Sequence, residues 1–412
     1  METSKLSNYL TTNAKTTIAV VAFAWFGIRL ATAPVVPSDG HIWLPLGEDF
    51  VGNLGQSDGL HRPLYALMAH IIFLVIELFE YIGIPLERIL DILGARSNAE
   101  LAWLALNLIS AVGAGLFAYF TAQVLNLGDG ISLTFSLLTA CSTELFAWSN
   151  HTLINNASVM GIFFAWHLLA RLYVKLRDVH SVHNIALTFL MLGVLMLGKA
   201  EYFLIGFGIL WLLILTRSVY LALVASLASI APLSTYIFVL WIFGIRYRNY
   251  EIDRFDYSLL GWWKGTITDR GFVGFLEEML VSPISSGMVV LYIGIGVLPT
   301  FCMLGFIFQN IRRLVGLAAL TYVLSAIWFL KAVNFWMARH AYEVAPVAYL
   351  SVALFLSSLW RNSLFAQRDT VGNYAGAPDG KKLSWLVVQR CLTVVLLFSV
   401  IASNAFRADL QI

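Results

Sequence analysis

The sequence predicts an all-α polytopic membrane protein of roughly 11–13 transmembrane helices, with a partly helical first external loop. Three observations carry that expectation. Hydrophobic residues make up 59% of the 412 and charged residues only 12%, at a mean hydropathy of +0.79. A soluble domain holds about 25% charged and about 45–50% apolar residues. The apolar residues come in runs close to the ~20 that a helix needs to cross a bilayer. They lack the weak alternation of a membrane barrel. The net charge of +2 is too small to point to a nucleic-acid partner.

The runs centre on residues 17–33, 63–84, 100–125, 131–149, 154–174, 184–199, 202–218, 220–244, 287–309, 314–331, 341–360 and 385–403. The first follows the polar, weakly basic METSKLSNYLTTNAKTT and shows no clean small-residue cleavage site, so it reads as a retained span. Lys5 and Lys15 favour a cytoplasmic N-terminus, which places the next loop outside. Arg171, Lys175, Arg177, Arg312 and Arg313 also read as cytoplasmic, and these anchors do not alternate cleanly through the list of runs. The chain thus reads as one transmembrane domain over 1–412 with three polar interruptions. Residues 34–62 form the first external loop. Residues 246–283 mix Trp262 and Trp263 with charges, as a segment at headgroup level does. Residues 361–384 read as a linker before the last helix. Cys141, Cys302 and Cys391 sit in apolar runs and read as small buried hydrophobes, with no disulfide or zinc spacing.

The first loop, from SDGHIWLPLGEDF to HRPLY, holds the densest charge. Asp39 follows the first span closely, in PVVPSDGHIW. A carboxylate fixed there can reach a lipid headgroup and a polar acceptor together, and suits a general base. Glu48 and Asp49 form a second acidic pair able to offer oxygen ligands to a divalent cation. A polar loop at a membrane surface would show such carboxylates without any chemistry. His61, Arg62, Pro63, Leu64 and Tyr65 open the second span, with Pro well placed in a first helical turn. An Arg beside a helix start can hold a phosphate, and it can equally snorkel to lipid headgroups.

Ionisable groups inside apolar runs form a second set, because charge in the hydrocarbon region faces a cavity or a partner. They are Glu144 in TACSTELFAWSNH, Lys199 and Glu201 in MLGKAEYFL, and Arg339, His340 and Glu343 in FWMARHAYEVAP. Lys199 and Glu201 can also pair structurally, and Arg339 and His340 can serve as interface anchors. His41 and His61 join the pocket candidates, whereas His70 and His167 read as helix-packing residues. Asn-x-Ser/Thr triplets at Asn150 and Asn156 are common accidental matches and are assigned nothing.

In order and spacing these pieces resemble the GT-C superfamily of integral membrane glycosyltransferases, in its protein mannosyltransferase and aminoarabinose transferase-like branch. The resemblance runs over most of the chain: an acidic residue just after the first span (PSDGHIW), a loop closing on HRPLYALMAHIIF, and an Asn-containing span (LAWLALNLISAVGAGLFAYFTAQVL). It continues through an acidic, polar turn (ELFAWSNHTLINN), a Lys–Glu run (LGKAEYFLIGF) and a late Arg before a Pro-containing span (ARHAYEVAPVAYL). Many relatives carry a second acidic residue where this chain has Gly40.

The resemblance implies a polyprenyl-phosphate-sugar-dependent glycosyltransferase, working on the extracytoplasmic side of the plasma membrane. It implies Asp39 as catalytic base, and Arg62, Lys199 and Arg339 at the donor phosphate. Its partners would be a polyprenyl-linked sugar donor, a glycan, lipid or protein acceptor, and membrane lipids. A divalent cation is left open. Two alternatives stand beside it. A transporter or flippase of lipid-linked sugars would want symmetry between halves, which the sequence lacks. An O-antigen ligase or polymerase leans on Arg and His in a late external loop, and residues 246–283 hold no histidine.

Overall fold

The computed structural model describes residues 13–33, 35, 40–53, 63–151, 155–175, 181–198, 202–245, 259–280, 291, 294–332, 342–372 and 380–408. It is an all-α polytopic membrane protein. In chain order the helices are α1 (Ala14–Thr32), α2 (Gly40–Glu48), α3 (Phe50–Asn53), α4 (Pro63–Tyr81), α5 (Glu87–Leu93), α6 (Asn98–Val124), α7 (Asp129–Ala140), α8 (Thr143–Ala147) and α9 (Asn155–Lys175). They continue as α10 (Val182–Met196), α11 (Tyr202–Thr216), α12 (Val219–Ile242), α13 (Leu259–Leu280), α14 (Val297–Asn310), α15 (Leu314–Ala332), α16 (Ala345–Gly372) and α17 (Gly380–Ala408). Among the described residues six stretches are long and apolar enough to span a membrane: α1, α4, α6, Asp129–Ala147, Asn155–Val174 and α12. Six shorter apolar helices lie in α10, α11, α14, α15, α16 and α17. Each of the twelve apolar runs of the sequence therefore has its helix.

The core forms around α6. Its small residues Ala111, Ala114, Gly115, Ala118 and Ala122 are buried, which lets α1, α7 and α9 approach its backbone. Lipid gives no hydrophobic drive for helices to associate, so close packing over small residues and buried polar contacts must hold them together. A Cβ at Gly115 would stand 2.7 Å from Ile18 of α1 and 3.2 Å from the Ala140 methyl of α7. The same device joins α10 to α12, where a Cβ at Gly193 would stand 2.2 Å from the Ser229 carbonyl oxygen. Helix α16 packs on α7, α14 and α17, and α17 reaches back to α8.

The first loop is partly helical, as expected: α2 packs on α4 and α6. His70 of α4 bonds the Gly47 carbonyl at 2.9 Å, a packing role. Helix α4 starts at Pro63, where the fixed proline φ suits a first turn.

Four findings differ from the sequence reading. The run at 131–149 is not one helix: α7 stops at Ala140, and Ser142 caps α8 by accepting from the Leu145 amide at 3.4 Å. The expected linker over 361–384 is largely helical, because α16 runs on to Gly372 and α17 begins at Gly380. Within 246–283, residues 259–280 form α13, interrupted at Gly271 with φ 68°. Of the cysteines only Cys141 is buried, while Cys391 is exposed on an apolar helix. A membrane-facing thiol needs no protein cover, because lipid is as apolar as the core.

Candidate functional site

Every residue from Leu138 to His151 is buried. This stretch contains the end of α7, the short α8 and the turn Trp148–His151. It is also polar, with Thr139, Ser142, Thr143, Glu144, Ser149, Asn150 and His151. Irregular backbone at membrane depth survives only where protein or a water-filled cavity satisfies it. Here the satisfaction comes from two sides.

On one side stand α1 and α6. Asn107, fully buried on α6, directs its amide N–H groups at the carbonyls of Trp148 (3.2 Å), Ser149 (3.1 Å) and His151 (2.8 Å). Arg29, in the last turn of α1, is only 6% exposed. Its Nε donates to Asn150 Oδ1 at 3.4 Å, and its guanidinium lies 5.4 Å from the Phe146 ring centroid. The His151 ring meets Trp148 edge-on at 4.8 Å. Burial first, and then the positive charge of Arg29, push His151, which sits between two spans, down to about 4.

On the other side stands the C-terminal helix α17. Asn404 Nδ2 donates to the Cys141 carbonyl at 2.7 Å, across 263 positions of sequence. Asn404 Oδ1 accepts from Thr143 Oγ1 at 3.1 Å and from Arg407 Nη2. Arg407 Nη1 also donates to the Gly294 carbonyl at 3.0 Å. Gly296 has φ 101°, and a Cβ there would stand 2.6 Å from Arg407 Cζ, so only glycine admits this guanidinium.

Between the two sides lies Glu144, in the first turn of α8 and wholly buried. Neither carboxylate oxygen has a hydrogen-bond partner. The Ser142 side chain and the Glu144 amide lie beside it without bonding geometry, and Arg407 and Tyr349 are within electrostatic range. Asn156 of α9 donates to the Leu145 carbonyl at 3.4 Å, and its own Oδ1 is unpartnered.

Of the sequence candidates, the structure brings Glu144 into this cluster. Asp49 is used locally: its Oδ1 accepts from the Gly52 amide at 2.9 Å and so caps the start of α3. Glu48 is exposed at the end of α2. Among the described residues no three His, Cys, Asp or Glu side chains gather as a metal site requires. Glu343 is buried in the turn before α16, where its carbonyl accepts from Tyr322 at 2.5 Å. His41 falls in α2, where the backbone alone is described. Asp39, His61, Arg62, Lys199, Glu201, Arg339 and His340 lie outside the described residues. Described neighbours of two of them do meet. The Leu64 amide donates to the Leu197 carbonyl at 3.0 Å, and a Cβ at Gly198 would stand 2.5 Å from the Tyr65 ring.

Sequence reasoning missed Arg29, Asn107, Asn150, His151, Asn156, Asn404 and Arg407. One signal could have found the two arginines, namely charge at the edge of an apolar run, in WFGIRLAT and SNAFRADL. Asn150 and Asn156 are 1% and 0% exposed, so neither Asn-x-Ser/Thr triplet is a surface acceptor for a glycan. No family model matches the chain, and no curated protein sequence matches it.

Proposed function

We propose that the chain is a membrane glycosyltransferase that moves a sugar from a polyprenyl phosphate carrier to an acceptor on the extracytoplasmic face. The observation that carries this reading is the anchoring of the first loop's two ends. Before the loop, Arg29 of α1 is tied to the polar turn at Asn150. After it, the start of α4 is tied to Leu197. Arg62 and Lys199 each stand two positions along the chain from that second bond. A loop strung between these points suits a reaction at the bilayer border.

In this reading Asp39 takes the proton of an acceptor hydroxyl or amine. The acceptor atom bonds the anomeric carbon as the bond from that carbon to the phosphate oxygen breaks. The electron pair leaves with the polyprenyl phosphate. Arg62, Lys199 and Arg339 offset the charge that develops there, and cations are most effective where such charge appears. Direct displacement inverts the anomeric centre. The apolar helix faces hold the polyprenyl tail. The test is Asp39→Asn, expected to lower transfer about 10²–10⁴-fold while donor binding persists. Near-normal turnover would overturn the assignment.

The broken helix α7–α8 favours a second reading, a transporter of lipid-linked sugars, because discontinuous helices build many transporter sites. Transfer of sugar by purified protein in detergent, without any vesicle, excludes pure transport.

A further inference from the structure

The depth at which α1 and α4 meet α6 can be followed residue by residue. Helix α1 runs antiparallel to α6 along most of its length. Its Lys15 Nζ lies 5.4 Å from the Phe120 ring centroid, and Ile18 meets Gly115. Further on, Phe26 packs in one cluster with Leu101, Ala102 and Leu104. From Phe120 to Leu101 is about 28 Å of helix, close to the ~30 Å of a hydrocarbon core. Helix α4 also has 19 residues but meets α6 over far less. Its Tyr65 packs with Trp103 and Leu106, and its Ile76 with Leu101, Ala102 and Leu104. Glu77 and Glu80 then accept from Asn98, the first residue of α6, each at 2.7 Å. The reach from Leu106 to Asn98 is only about 12 Å. Both ends of α4 therefore lie beside the first third of α6, at the end of the bundle where α1 stops.

A second observation concerns the number of crossings. The His167 ring of α9 lies 6.0 Å from the same Phe120 ring, and Arg171, one turn on, is within electrostatic range of His167. Lys15 and Arg171 thus stand at one end of the bundle. Two points on one side of a bilayer are separated by an even number of crossings. Among the described residues, five stretches between them are long and apolar enough to cross: α1, α4, α6, Asp129–Ala147 and Asn155–Val174. Helix α6 and the 129–147 stretch join at the Lys15 end, where Gln123 donates to Asp129 at 2.9 Å. Setting α4 aside leaves four. Lys15 and Arg171 then share a side, as the bias of Lys and Arg toward one face of a membrane requires.

We propose that α4 does not cross the bilayer but lies within the single leaflet on the side where α1 ends, its exposed face seated in acyl chains. The segment from Ile82 to Ser97, with α5, then stays on the same side as the first loop. That face is a stripe of Leu67, Ile71, Leu74, Val75 and Leu78, all exposed and at helical spacing. It holds no charge, and a continuous apolar patch left in water is an aggregation liability. Acyl chains are the partner whose chemistry fits it. Charge first enters α4 near its end, at the exposed Glu77 and Glu80. Carboxylates are costly in hydrocarbon, so they mark the level at which α4 reaches headgroups and water. This placement rests on packing alone and is independent of the reaction proposed above.

The test uses the full chain in membrane vesicles, with the buried Cys141 kept and Cys302 and Cys391 replaced by serine. One new cysteine is added at a time: Val51→Cys in α3, Ile92→Cys in α5, or Gly130→Cys at the start of α7. The first two positions are exposed, and Gly130 has open space around it, so each variant should fold. A maleimide that cannot cross membranes is applied to right-side-out and to inverted vesicles. Val51→Cys and Ile92→Cys should react in one orientation and Gly130→Cys in the other. Reaction of Ile92→Cys in the orientation opposite to Val51→Cys overturns the proposal, because α4 then separates them. A nitroxide on Leu74→Cys reads what covers the stripe. Oxygen should relax it more than a water-soluble nickel chelate does, as happens among acyl chains. Stronger relaxation by the nickel chelate would put the stripe in water, and protection from both would mean that protein, such as a second copy of the chain, covers it. Either result overturns the lipid seat.

Discussion

Two stretches, each long and apolar enough to span a membrane, have opposite fates. In Asp129–Ala147, of mean hydropathy 1.3, 83% of the most apolar part is buried within the protein. In α12, of mean hydropathy 1.9, only 17% is. The more apolar stretch lies outside and the more polar one inside. A soluble protein would reverse this order, since water drives apolar surface inward. A bilayer removes that drive. Its helices are held by small residues and by polar groups that would have no partner in hydrocarbon. The buried stretch accordingly carries Ser136, Thr139, Thr143 and Glu144, whereas α12 presents Leu223, Leu227, Phe238 and Trp241 to lipid.

The comparison can be broken most sharply at Asn107. Asn107→Leu leaves the Trp148, Ser149 and His151 carbonyls without that donor, and each unmet buried group costs about 1–3 kcal/mol. The loss should amount to several kcal/mol, read as a fall in the unfolding midpoint in a detergent titration. Unchanged stability would show that the break is satisfied elsewhere. Next is the close approach of α10 and α12 at Gly193. Gly193→Ala drives a methyl against the Ser229 carbonyl and should cost about 1–3 kcal/mol as α10 and α12 separate. Double-cysteine crosslinking between those two helices would follow the movement.

The third is a pH effect. His151 is held neutral in the fold, with its pKa lowered to about 4 by burial and by Arg29. The unfolded chain then binds more protons between an ordinary histidine pKa near 6.5 and about 4. Stability is therefore full above about pH 6.5 and declines as pH falls toward 4. His151→Gln should flatten that part of the curve, as measured by thermal midpoint against pH. The smallest effect belongs to the lipid face. Leu227→Ala on α12 should change stability by no more than about 0.5 kcal/mol, because the residue is 71% exposed. A loss like that of a core leucine would mean that another surface covers α12.

The twelve apolar runs were legible because each is apolar and bounded by polar or glycine-containing turns. Glu144 was legible as a charge in such a run. Its surroundings were not. Asn107 sits in a span otherwise indistinguishable from its neighbours, and Asn404 and Arg407 fall past the end of the last apolar run, at 403. Arg29 and Arg407 look like interface anchors because a terminal Arg in a span most often reaches for headgroups. Only burial, at 6% and 8% exposure, separates them from that role.

The sequence alone determined that the chain spans membranes as helices, where the helices run, and that its first loop is charged. Hydropathy suffices for that, since crossing hydrocarbon depends on composition and length. The tertiary structure alone decided which helices face lipid, that the 131–149 run breaks at Cys141–Ser142, and that Arg29, Asn107, Asn404 and Arg407 converge on that break. These depend on contacts between residues up to 263 positions apart. The partner of a buried polar group is set by the packing of distant helices, and nothing local in the chain encodes it.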